Sequence, residues 1–369
     1  DGDACVALIR RAGHPKPTHV ADGSLYPPPT LAVLSPLGVM DWQTARLVWL
    51  AINLFACIAL VWALANWLSI KDVWVRWLTA SLLVMAWGPV STSLSLGQLS
   101  LVAGASGLVG MVLLDRGKAL PAGLLIGLGC LIKPQLGLGF VLLVALRMDW
   151  RALSGALGLI VVGLGVAIGR LMSGVPDWAG QLSSNIMRYS AEDGVMDASV
   201  DAVMRYQMID LRPLMHLVVP ERFVGLASLA VVGFLAALAL RWLLPMGLRR
   251  HTLLAVSGVG LLTLMPVYHR YYDAVLLLPL LVLVVNAICN RPIDRLVWVL
   301  AIPLLPLFFP LPAMFATIGN RGVLPGGLAD AWLWQNGVML HQAWCLLVLL
   351  LALVWWTARR ARAKAGTDK

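Results

Sequence analysis

The sequence predicts an all-α polytopic membrane protein, a bundle of about 11 transmembrane helices around an outward-facing cavity. Three observations predict it. Apolar runs of roughly 18–25 residues, the length that crosses a hydrocarbon core, recur along most of the chain. Of its 369 residues 60% are hydrophobic and 12% charged, against about 25% charged in a soluble domain. The charges that remain fall mostly between the apolar runs. A β-barrel would show short alternating strands instead.

The apolar segments lie at 44–69, 77–93, 97–114, 119–132, 135–147, 152–172, 223–243, 251–267, 271–289, 296–313 and 339–357. Six connections are short and basic: "IKDVWVR" (70–76), "DRGK" (115–118), "RMDWR" (147–151), "GLRRH" (247–251), "NRPIDR" (290–295) and "RRARAK" (359–364). Placing all six in the cytoplasm satisfies the positive-inside rule. The remaining loops and residues 1–43 then lie outside, and the C-terminus inside. The whole chain, 1–369, reads as one integral-membrane domain. Segments 119–132 and 135–147 are short for full spans and read as a tilted or re-entrant hairpin. Its tip is Lys133-Pro134-Gln135, and irregular backbone at that depth needs protein or water around it. The longest outer loop, 173–222, mixes acids, arginines and methionines. Asp201–Leu211 is expected there as an amphipathic surface helix, with Asp210 capping a short helical turn after it.

Composition also excludes functions. The net charge of +10 would suggest nucleic acid in a soluble protein. Here the basic residues between spans orient the helices, so no nucleic-acid partner is expected. Four of the five cysteines lie in or at the ends of apolar spans, and no Cys/His cluster points to a metal. "GASGLVG" (104–110) imitates a dinucleotide loop, but no βαβ unit surrounds it. Its small residues are those that pack helices in lipid. No cofactor is expected.

Some residues resist a packing explanation. Lys133 has about a dozen apolar residues on either side, and intramembrane cations are functional by default. Its ammonium suits a phosphate or pyrophosphate. "MPVYHRYYDAV" (265–275) gathers His269, Arg270 and Asp273 at the outer end of a span. On a helix His269 and Asp273 share a face at i, i+4 and could handle protons or orient a hydroxyl. Arg270 suits a phosphate. Gln98 in "STSLSLGQLSL" reads equally as a sugar ligand or a helix cap. In "SLYPPPT" (24–30) the prolines set an extended approach to a short apolar segment, with Tyr26 at headgroup level. Tyr26, Gln98, Lys133 and the His269–Asp273 group come from separate parts of the chain. The topology puts all of them on one side of the membrane, as a site requires.

These stretches resemble glycosyltransferase family 87, integral-membrane enzymes of the GT-C fold. The resemblance rests on "SLYPPPTLAVLSPLGVMDWQTARLVWLAINL" (24–54), "SLGQLSLV" (95–102), "AGLLIGLGCLIKPQLGL" (122–138) with its following "RMDWR", and "MPVYHRYYDAVLLLPLL" (265–281). It implies an inverting hexosyltransferase of the plasma (inner) membrane. A hexose, mannose by expectation, would pass from a polyprenyl-phosphate sugar to a lipid or glycan acceptor on the extracytoplasmic side. Lys133 and Arg270 would stabilise the leaving phosphate. His269 matches the family's outer-end histidine.

One departure accompanies the resemblance. Enzymes of this fold usually carry their base, an Asp or Glu, in the first outer loop. In this family it lies well upstream of Tyr-Pro-Pro, and here Tyr26 follows only 25 residues. The expectation is a truncated first loop over 1–43, a base upstream of residue 1 with Asp1 and Asp3 as minor candidates, about 12 spans when complete, and an inactive fragment. The rival readings are a transporter or lipid flippase, and a polysaccharide polymerase or ligase using Arg212 and His216 of the 173–222 loop. A transporter would repeat the broken helix in a second half. The sequence contains one such break.

Overall fold

The computed structural model describes residues 26–175, 177–191, 194–202, 204–289, 296–320, 327–328 and 330–367. Among them every named element is helical. Five helices are long and apolar enough to cross a membrane, and a sixth span forms if one bent pair is counted together. The other predicted spans fold as apolar helices of 10–17 residues.

The chain enters through α1 (Pro28–Leu34), whose first turn is proline because an N-terminal turn needs no N–H there. A 3-10 turn (Ser35–Val39) leads to the long α2 (Trp42–Trp67). Asp41 starts α2 by accepting the Thr44 N–H at 3.0 Å, and Asp72 starts α3 (Val73–Ala86) in the same way through Val75. The predicted span 77–93 is broken. Gly88-Pro89 ends α3 and begins α4 (Gly88–Ser95) at an angle of 59°. A proline inside a helix lacks the N–H of the next bond, and Gly88 meets Phe308 and Tyr271 too closely for any side chain.

Three helices form the centre: α5 (Ser100–Asp115), α6 (Ala119–Ile132) and α7 (Pro134–Leu146). α6 packs between α5 and α8 (Trp150–Gly174). Small residues permit this. A Cβ on Gly123 would lie 2.0 Å from the Ala152 carbonyl of α8, and one on Gly107 would strike the Phe140 ring. The segment 104–110 is thus helix packing. α7 also packs on α12 (Thr252–Leu264), and α11 (Val224–Met246) on the C-terminal α16 (His341–Thr367). Between them run α13 (Leu278–Cys289), α14 (Leu296–Leu304) and α15 (Leu311–Asn320).

Two expectations need correction. The exposed amphipathic helix in the long loop is α9 (Trp178–Ser190), not Asp201–Leu211. Residues 205–207 make one 3-10 turn, and Met208 then bridges antiparallel to Arg270. Ile209 and Leu211 donate their N–H groups to the carbonyls of His269 and Met265, both at 3.0 Å. The backbone is paired across segments rather than within a helix, and Met208, Ile209 and Leu211 are buried. Second, 271–277 is a 3-10 turn and His269 precedes it. His269 and Asp273 are therefore not neighbours on an α-helical face, although their side chains do meet.

Candidate functional site

Helix α6 ends at Ile132, and Lys133 is extended before Pro134 opens α7. The break frees the carbonyls of Leu131 and Ile132. The buried Thr30 hydroxyl donates to these at 3.2 and 3.0 Å, fastening α1 to the hairpin tip. Its neighbour Tyr26 is thereby held close to Lys133.

Lys133 is 4% exposed and Asp273 2%. The ammonium donates to Asp273 Oδ1 at 2.5 Å and to Ser100 Oγ at 2.9 Å, and lies 4.9 Å from the centre of the Tyr272 ring. Ser100 in turn donates to Asp273 Oδ1 at 2.6 Å. Asp273 Oδ2 takes His269 Nδ1 at 3.0 Å and the Arg270 backbone N–H at 3.3 Å. This carboxylate accepts four hydrogen bonds, two on each oxygen. With the proton of His269 on Nδ1, facing the carboxylate, Nε2 carries the lone pair. That atom is buried and unpartnered, and the whole residue is enclosed.

Arg270 is arranged differently. Its Nη1 donates to Gln207 at 2.7 Å and its Nε to the Tyr268 hydroxyl, while Nη2 is buried without a partner. Among the described residues no carboxylate pairs with this guanidinium. The loop that carries Gln207 is pinned by Asp210, fully buried. Asp210 binds the Arg212 guanidinium at 2.9 Å and the His269 backbone N–H at 3.2 Å. It also accepts the Arg212 N–H, at the start of the short α10 (Arg212–Met215).

A cavity of about 690 Å³ opens over these groups. Its polar lining includes Tyr26, Gln98, Lys133, Tyr268, Arg270 and Asp273, and its apolar lining Ile186, Val195, Met196 and Met204. The Tyr26 hydroxyl reaches Gln98 Oε1 at 3.4 Å. Burial raises the Tyr26 phenol above its ordinary value, with the Asp273 charge adding to the effect. Burial also raises Tyr268, against the pull of Arg270. Both phenols are therefore neutral donors at pH 7. A second cavity of about 880 Å³ shares Tyr26 and Leu96 with the first and is walled by Leu34, Leu37, Trp42 and Trp49.

Five of the predicted residues, Tyr26, Gln98, Lys133, Arg270 and Asp273, line this one cavity, with His269 behind Asp273. Asp1 and Asp3 lie outside the described residues. Arg212 and His216 do not line it. The sequence reading passed over Ser100, Thr30, Gln207 and Tyr268. Thr30, Tyr268 and Ser100 stand inside or beside stretches already singled out, whereas Gln207 carried no local signal. Among the described residues no three of His, Cys, Asp and Glu gather as a metal set.

The family model for glycosyltransferase family 87 matches residues 25–267. No curated protein and no solved structure gives a match.

Proposed function

The chain belongs to glycosyltransferase family 87, and from that premise we propose that it moves a hexose, mannose in particular, from a polyprenyl-phosphate sugar to a lipid or glycan acceptor. One observation carries the choice of donor. Arg270, beside the buried Lys133–Asp273 pair, has an unpartnered guanidinium nitrogen and no carboxylate among the described residues. A partly buried cation with a buried, unused donor favours an anion. The apolar cavity that adjoins through Tyr26 supports a donor with a long hydrocarbon tail.

In this reading an acceptor hydroxyl attacks the anomeric carbon and forms the new C–O bond. The C–O bond to phosphate breaks, and the phosphate leaves on its polyprenol. The acceptor proton goes to a carboxylate base. Lys133 and Arg270 stabilise the charge that grows on the leaving oxygens. Both oxygens of Asp273 are already occupied by Lys133, Ser100, His269 and the Arg270 N–H, so its part is to hold Lys133 and His269. The base is then a carboxylate other than Asp273. Attack opposite to the leaving phosphate inverts the anomeric carbon. In this reading the reaction runs on the extracytoplasmic side of the plasma (inner) membrane, with the C-terminus cytoplasmic, as the basic connections suggest.

The test is transfer by the full-length enzyme in vesicles, supplied in turn with polyprenyl-phosphate mannose, polyprenyl-phosphate glucose and a nucleotide-diphosphate mannose. Turnover with the lipid-phosphate sugars, and a product anomer opposite to the donor's, is the expected result. Turnover with the nucleotide sugar alone would sink the reading. A transporter or flippase reading has no support in the family. The polymerase or ligase reading has less support, because Arg212 and His216 do not line the cavity.

A further inference from the structure

At the opposite end of α5 from the catalytic cavity lies a second polar pocket, independent of the transfer reading. Its volume is about 390 Å³, between the ends of α7 and α11. Three arginines line it: Arg147, Arg249 and Arg250. Arg147 is 7% exposed and fixed, with Nε on Asp149 and Nη1 on Asp115 and Thr252, all at 3.0 Å. Arg249 donates through Nε and Nη2 to the Arg147 carbonyl, and through Nη2 to Asp149 at 2.8 Å. These bonds leave Arg147 Nη2 and Arg249 Nη1 unused. Arg250 has no acid partner among the described residues. Two carboxylates thus face three guanidinium groups. Leu146, Leu244 and Met246 supply an apolar flank to the same pocket.

We propose that this pocket binds the phosphate of an anionic glycerophospholipid headgroup. Guanidinium groups recognise phosphate through paired N–H donors, and two already held by Asp115 and Asp149 lose little freedom on binding. The apolar flank suits the first carbons of the acyl chains, which a free phosphate would not need. Basic pockets between transmembrane helices bind anionic headgroups by this chemistry. Basic loops that only orient helices need no such pocket.

The test uses the full chain in neutral detergent, titrated separately with phosphatidylglycerol, phosphatidylcholine and inorganic phosphate while the thermal unfolding midpoint is followed. Phosphatidylglycerol should raise the midpoint and phosphatidylcholine should not. Arg250→Gln, at an exposed side chain, should fold as the wild type does and weaken the apparent affinity about fivefold. Lys118→Gln, at the same end but outside the pocket, should leave it unchanged. A response to inorganic phosphate alone would keep the site and make the free anion its ligand. Equal weakening by Arg250→Gln and Lys118→Gln would overturn the proposal, since surface charge in general would then explain binding. No response to either anion would also overturn it.

Discussion

Helix α5 carries an ionic cluster at each end, and the two are built to different rules. At the Asp115 end the fixed guanidinium of Arg147 meets two carboxylates that keep some contact with solvent, 28% and 16% exposed. Arg147 leaves no orphaned buried donor there. At the Ser100 end Lys133 and Asp273 are sealed together, while His269 Nε2 and Arg270 Nη2 stay buried and unpartnered. A buried polar group without a partner costs roughly 1–3 kcal/mol, more if charged. A cluster that only joins helices has no reason to retain it. The two ends thus differ in their orphaned groups: His269 Nε2 and Arg270 Nη2 are left without a partner at the Ser100 end, and no side-chain atom of Arg147 is so left at the Asp115 end.

Breaking the sealed end should have the largest effect. Lys133→Ala should abolish transfer and also cost about 3–5 kcal/mol of stability, since it strands the Asp273 charge. Lys133→Met combined with Asp273→Leu should recover the stability without the transfer. Unfolding midpoints and turnover of both variants check this, and full activity in Lys133→Ala would remove Lys133 from the site. Arg270→Gln comes next. It should lower turnover about 10²–10³-fold with little change in unfolding midpoint. A stability loss without a rate loss would make Arg270 a fastening too.

Arg147→Ala should do the reverse. Its carboxylates reach solvent, so the expected loss is about 2 kcal/mol, below the sealed case. Turnover per folded molecule should not change. Smallest is Thr30→Val, which removes the donor to the Leu131 and Ile132 carbonyls. It should cost about 1 kcal/mol and lower turnover modestly, by loosening Tyr26 against the hairpin tip. A stability loss with wholly unchanged turnover would show that α1 holds the fold and not the cavity.

Much of this architecture was legible in the sequence, because lipid forces apolar length and helical backbone into one pattern. The positions of the helices followed from their apolar runs, and the hairpin tip from a lysine and a proline together. The bend at Gly88 was missed because hydropathy does not register a proline's absent N–H. The segment 201–211 carried an amphipathic pattern and still formed no α-helix among its described residues, since the 265–270 segment offered its backbone other partners. The same limit applied to the site. Charged residues in apolar surroundings stood out, so Lys133 and Asp273 could be named. Their partners could not. Ser100, Gln207 and Thr30 are ordinary polar residues whose significance comes from contacts across 173, 63 and 101 positions of chain.

The brevity of the central helices has a consequence of its own. With 16 residues, α5 is about 24 Å long even if untilted, against about 30 Å of hydrocarbon. Both of its ionic clusters then cannot reach the two surfaces of an undisturbed bilayer. Either the lipid dips around the protein or the chamber floor is sunk beneath the headgroups. In both cases hydrophobic mismatch sets the working depth of Lys133 and Arg270. With the proposed lipid-linked donor, a thicker membrane would draw the donor's phosphate away from them without altering a single contact inside the protein.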